Sequence, residues 1–198
     1  DRDPEDGLTR RPLFLFCCLA ALFAGSCSRE ASLKKGAELE FNGAPVIVIS
    51  IDTLRADRLP AYGYAGVETP AIDALRRDSV LFENAYAHVP LTLPSHVSLL
   101  TGLLPQEHGV RNNIGYPFDG AKHPTIATLL KGRGYVSGAA VSSYVLRSAT
   151  GISSGFDFYE DSVGGREGVA ISQLQRSGAA TTAIAQEWIA QKKAQPFF

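Results

Sequence analysis

Seven consecutive residues, PVIVISI at positions 45–51, restrict the folds open to this chain more than any other stretch. They are largely β-branched with no polar alternation before Ser50, the pattern of a strand covered on both faces in a parallel sheet. Asp52 follows at the C-terminal end of that run, where open α/β sheets gather their ligand groups. A carboxylate there can equally cap the next turn, and the residue types alone leave both readings open. Downstream, Thr69-Pro70 opens a helix with Ile72 and Leu75 on one face that ends near Asp78, and Val80, Leu81 and Phe82 are strand formers. A helical run spans about 95–100, and His123-Pro124 starts a helix closed by Gly132 or Gly134. Residues 135–141 read as a second buried strand. Residues 179–193 form an amphipathic helix in which Trp188 belongs to the core and Lys192 and Lys193 suit the C-terminal end. GISSGFDFYED at 151–161 reads as a loop and VGGREG at 163–168 as a mobile connection. Strand and helix alternating in this way specify an α/β sandwich with a largely parallel sheet.

The 198 residues carry 19 basic and 20 acidic side chains, a balance that argues against a nucleic-acid or polyanion partner. Arg10 and Arg11 precede LFLFCCLAALFAGSC, an apolar run of about a dozen residues ending in small ones, as in a secretory leader. It is short of the roughly 20 residues that span a bilayer. Cys17, Cys18 and Cys27 all lie in or beside it, so the body that follows has no disulfide framework. Ala24-Gly25-Ser26-Cys27 resembles a bacterial lipoprotein signal, with Cys27 as the lipidated residue and a lipid anchor as the one membrane attachment; a plain cleaved signal with an incidental cysteine is the alternative, and it exports the protein too. Export to the periplasm or outer membrane is the expectation. Residues 1–27 are thus read as leader, 28–43 as a polar tether and 44–198 as the folded part. The chain has no Met and stops at Gln195-Pro196-Phe197-Phe198, an apolar stretch like the opening of a strand; these features are expected of a fragment.

Between residues 82 and 109 the sequence runs FENAYAHVPLTLPSHVSLLTGLLPQEHG. Thr92, between Pro90 and Pro94 and just ahead of a helical run, is expected where free backbone N–H groups and the helix dipole favour an anion. Phe82, Asn84, Tyr86, Thr92, Pro94, Ser95, Ser98 to Gly102, His108 and Gly109 together resemble the nucleophile motif of the sulfatase family, within the alkaline phosphatase superfamily. The likeness continues upstream through VIVISIDTLRADRLPAYGY and TPAIDALRRDSVLFENAYA, and downstream to about Tyr159. It implies an alkaline-phosphatase-like α/β sandwich, a mostly parallel sheet with helices on both faces, of which this chain is the N-terminal portion.

The resemblance implies a role for each matching residue. Thr92 would be the nucleophile, Asp52 and Thr92 ligands of a divalent metal ion, and His96 a supporting catalytic group. Asn113 could reach a substrate oxygen, though an ordinary turn residue fits as well. His108 reads as structural, and His88 and His123 receive no role. Arg55 and Asp57 would support the site. The departures are informative. Sulfatases pair two Asp residues where this chain has Asp52 and Thr53, and carry Arg where it has His96. Their later Lys and His contacts to sulfate find no counterpart in residues 140–146. The family oxidises a Cys or Ser to formylglycine, which needs two hydrogens on Cβ; Thr92 carries a methyl there and closes that route. What remains is direct attack by the Thr hydroxyl, so the expected activity is an exported, metal-dependent hydrolase of sulfuric or, with preference, phosphoric esters. Calcium, zinc, manganese and magnesium all stay open as the ion. Substrates would be small-molecule, glycan or lipid esters. The alternatives are a phospholipid-headgroup or polymer phosphotransferase, and an exported binding protein that keeps the fold without catalysis.

Overall fold

The computed structural model describes residues 42–164 and 168–198. The leader, Cys27 and most of the tether fall outside these residues, as does part of the connection at 163–168.

A small parallel sheet organises the described part. Strand β1 (Gly138–Ala140) pairs in parallel with β2 (Phe158–Glu160), Gly138 opposite Phe158. On its other edge, Val136 pairs in parallel with Phe197, and the Gly138 N–H donates to the Phe198 carbonyl at 2.9 Å. Phe197 in turn accepts from the Val46 N–H at 2.9 Å. The order across the sheet is therefore the segment at Val46, then Phe197, then β1, then β2. Phe197 and Phe198 are buried.

Five α-helices accompany this sheet among the described residues: α1 (Pro70–Arg77), α2 (Thr92–Thr101), α3 (Pro105–His108), α4 (Ile126–Lys131) and α5 (Gly178–Lys192). Helix α2 forms where Leu93, Val97 and Leu100 recur at helical spacing. Leu93 and Val97 are fully buried against Val110, Phe118, Leu146 and Ile152, with Leu100 packed on the same cluster. Gly102, at φ 71°, ends the helix in the left-handed region, which a residue without Cβ adopts at least cost. Helix α5 packs on β1, and its Trp188 stacks on Phe158 and meets Phe197 edge-on. A Cβ built on Gly138 would lie 2.5 Å from the Trp188 indole, so only glycine admits the ring so close to the strand. None of these helices is long and apolar enough to cross a membrane.

Several expectations need correction. Residues 45–51 carry no ladder beyond the Val46 bond, and Ile47, Val48, Ile49 and Ile51 are exposed. The run is apolar enough for a central strand, yet among the described residues its backbone pairs across the sheet with Phe197 alone, its other bond being the local turn from the Leu54 N–H to the Ile51 carbonyl. Val80 and Phe82 form no strand and stand exposed, and Leu75 on α1 is exposed too. Conversely, β2 lies inside the stretch read as a loop. Gly and Ser punctuate 151–155, but Phe158, Tyr159 and Glu160 extend along β1. Helix α2 begins three residues earlier than the run at 95–100, because Pro94 fits the first turn, where no N–H is needed. Helix α4 is capped by Thr125, whose hydroxyl accepts from the Thr128 N–H, so Pro124 stands outside it.

Candidate active site

Thr92 is the first residue of α2, not a residue ahead of it. Its Oγ1 donates to Asp52 Oδ2 at 3.1 Å, joining the end of the apolar run to the start of the helix across forty residues of sequence. A second bond lies beside it, Ser50 Oγ to His96 Nε2 at 2.9 Å. Thr92 and His96 are one helical turn apart and so share a face of α2. Ser50 and Asp52 are two apart and meet that same face, so the two contacts form parallel rungs. His96 Nδ1 donates to the Thr92 carbonyl at 2.7 Å, which ties the imidazole to the residue that carries the hydroxyl. A carbonyl only accepts, so Nδ1 carries a proton; the Ser50 hydroxyl, which can accept or donate, meets Nε2.

The helix start differs from the expected anion cradle. The Leu93 N–H donates to Asn113 Oδ1 at 2.9 Å, Pro94 has no N–H, and the Ser95 N–H bonds the Leu91 carbonyl. The dipole persists, but these three positions leave no free donor. Asn113 therefore acts as a cap delivered from a distant loop, filling the place that Leu91, the residue before the helix, has no side-chain acceptor to fill. Asn112 Oδ1 accepts the Asn113 N–H at 2.7 Å and braces that loop.

The supporting residues divide clearly. Arg55 and Asp57 form an exposed ion pair at 2.6 Å within a short turn. His108 is buried; its Nδ1 accepts from the Val110 N–H at 3.1 Å and its Nε2 donates to Ser98 Oγ at 3.0 Å. Burial, with His123 nearby, pulls its pKa below the ordinary histidine value. The Nδ1 contact needs the neutral ring, and both contacts tie the buried His108 to its neighbours, Ser98 of α2 and Val110. Thr53 has φ 61°, a left-handed conformation that is an outlier for a β-branched residue, at the position directly after Asp52. Ser50 is the site residue the sequence pattern did not single out. Its signal was available: in an extended run, side chains two apart point the same way, and Asp52 had already been assigned.

Asp52 and Thr92 offer hard oxygen donors side by side, as a divalent cation requires. Among the described residues no cluster of three or more His, Cys, Asp and Glu side chains is placed to hold a metal ion, so these two alone would make only part of a coordination shell. Ser50, Asp52 and His96 open onto a cleft of about 680 Å³ whose walls include Leu99, Ala140 and Trp188.

A family model described as Sulfatase matches residues 45–198, nearly all of the described chain. The chain belongs to the sulfatase family. This sulfatase-family chain is 36% identical over 93 residues to an arylsulfatase of Clostridium perfringens, covering 46% of the chain and 18% of that relative. It is 31% identical over 134 residues to an N-acetylgalactosamine-6-sulfatase of Sus scrofa, covering 60% and 26%. With the iduronate 2-sulfatase of Homo sapiens it shares 32% over 121 residues, covering 59% and 22%. The chain thus spans about a fifth to a quarter of the length of these relatives. Membership brings the alkaline-phosphatase-like α/β fold, of which the parallel pairing of β1 and β2 is a part, and an ester-hydrolase family that is generally dependent on divalent metal.

Proposed function

We propose that this chain is the nucleophile-bearing, N-terminal part of an exported, metal-dependent ester hydrolase that works through Thr92 and prefers phosphoric to sulfuric esters. The observation that carries the reading is the Thr92 Oγ1 to Asp52 Oδ2 hydrogen bond at 3.1 Å, which points the hydroxyl proton at a carboxylate and leaves the oxygen lone pairs for attack. Thr92 Oγ forms a bond to phosphorus as the bond from phosphorus to the ester oxygen breaks, and the hydroxyl proton passes by way of Asp52 to that oxygen, which leaves as the alcohol. Water then attacks the same phosphorus and frees Thr92, with the covalent ester as the shared intermediate. A divalent cation held by Asp52 and Thr92 would supply charge stabilisation for the phosphoryl oxygens. His96 fixes the first turn of α2 through the Thr92 carbonyl, and Asn113 fixes it through the Leu93 N–H.

The preference for phosphate follows from the Thr92 methyl group. Formylglycine enzymes expel sulfate from a gem-diol, which a threonine cannot form, whereas a phosphothreonine ester is open to hydrolysis by water. The relatives' names point to sulfate esters of glycans and aryl compounds, and these remain the competing substrates. The deciding experiment assays the full-length, metal-loaded protein against nitrophenyl sulfate, nitrophenyl phosphate and bis-nitrophenyl phosphate, with Thr92→Ala alongside. Phosphate or diester turnover that vanishes in Thr92→Ala is the expected result. Sulfate turnover alone would overturn the argument from the methyl group, and turnover that survives Thr92→Ala would remove the nucleophile.

A further inference from the structure

We propose that Ser50 and His96 form a second nucleophile and general base, separate from Thr92 and Asp52, and that this pair hydrolyses carboxylic esters with an apolar acyl group. Ser50 Oγ lies 2.9 Å from His96 Nε2, within the reach at which an imidazole takes a hydroxyl proton. His96 Nδ1 donates to the Thr92 carbonyl at 2.7 Å, so a third group orients the base and fixes which nitrogen faces the serine. In the neutral ring the lone pair is therefore on Nε2, toward the hydroxyl. Once Nε2 takes the proton, both ring N–H groups still have acceptors, the Thr92 carbonyl and Ser50 Oγ, so the imidazolium is held as well.

The other Ser and His pair on α2 has the opposite arrangement. His108 Nδ1 accepts from the Val110 N–H, its Nε2 donates to Ser98 Oγ, and both side chains are buried. That imidazole has no lone pair left for its serine, whereas Ser50 is exposed and opens with His96 onto the cleft of about 680 Å³. Leu99, Ala140 and Trp188 in the cleft walls suit an apolar acyl chain. The Arg that sulfatases carry at position 96 has donors only and cannot serve as a base; the exchange to His puts one there.

In the reaction, Ser50 Oγ bonds to the ester carbonyl carbon while its proton passes to His96 Nε2. The tetrahedral adduct collapses, the bond from carbon to the alkoxy oxygen breaks, and that oxygen takes the proton from Nε2 and leaves as the alcohol. Water then attacks the acyl-Ser50 carbonyl, giving a proton to Nε2 that returns to Ser50 Oγ as the carboxylic acid departs. No oxidant or further reactant is required.

The test uses the full-length protein with nitrophenyl butyrate as substrate and diisopropyl fluorophosphate as covalent probe. The butyrate ester should be hydrolysed; Ser50→Ala should abolish turnover, and His96→Gln should lower it by about a hundredfold or more. Thr92→Ala should retain it, because alanine keeps the main-chain carbonyl that orients His96, so this activity and the Thr92 reading fail separately. The probe needs no variant: Ser50 Oγ displaces fluoride from phosphorus, and peptide mass mapping of the native protein should place the adduct on Ser50. An adduct on Thr92 alone, or none on the folded chain, would overturn the proposal, as would butyrate turnover that survives Ser50→Ala. Butyrate turnover lost in Thr92→Ala would overturn it too, since one threonine would then serve both kinds of ester.

Discussion

Thr53 holds a left-handed conformation that costs a β-branched residue on the order of 1–2 kcal/mol, beside the carboxylate on which the site is built. Thr53→Gly removes the Cβ clash and should raise the urea midpoint, with a gain of up to about 1 kcal/mol after the unfolded chain's added freedom is subtracted. Thr53→Asp should relieve part of the same strain, since Asp tolerates this region, and should tighten divalent-ion binding measured by titration calorimetry. His108 gives a pH signature. Its pKa is lower folded than unfolded, so the folded state binds fewer protons, and the stability it contributes is present above the unfolded value near 6.5 and lost as pH falls from there through the lower folded value. Urea unfolding at a series of pH values from 5 to 8 should therefore show a steeper acid-side loss for the native chain than for His108→Gln, which keeps a hydrogen-bonding group without the titration.

Helix α2 is the element on which the site depends, and its start is secured from outside itself. Leu91 precedes the helix with no side-chain acceptor, and Asn113 supplies one from a loop after α3. Asn113→Ala should cost about 1 kcal/mol, the usual worth of a lost cap, and Asn113→Asp should restore it by keeping the acceptor and adding charge at the positive helix end. Chemical denaturation of the three proteins measures this directly. Much of α2 was legible in the sequence, because Leu93, Val97 and Leu100 keep a helical period and Gly102 stops it. Thr92 and Asp52 stand out through their motif positions, and the structure brings their side chains into contact. The cap was not legible, since Asn113 lies beyond any local window and looks like a turn residue, and the donors it consumes had been read as free. Nor was β2, because Phe158, Tyr159 and Glu160 follow a Gly- and Ser-rich stretch, and three residues are too few for a period to emerge.

In the whole molecule, the sheet and α5 meet at one tight contact. Gly138→Ala would drive a methyl into the Trp188 ring, a rigid side chain wedged between Phe158 and Phe197. A loss of roughly 1–3 kcal/mol is expected, read from the tryptophan emission during unfolding. The apolar run at 45–51 has the composition of a covered strand, but coverage belongs to neighbours, and among the described residues Phe197 is the one distant segment its backbone meets. That placement carries a kinetic consequence. Phe197 lies between the segment at Val46 and the strand region at Val136, yet it is synthesised after both. A nascent chain must keep a slot open between two earlier segments until a latecomer slides in, so pairing across this sheet is long-range and slow, and the aliphatic run stays open to aggregation or chaperone capture in the meantime.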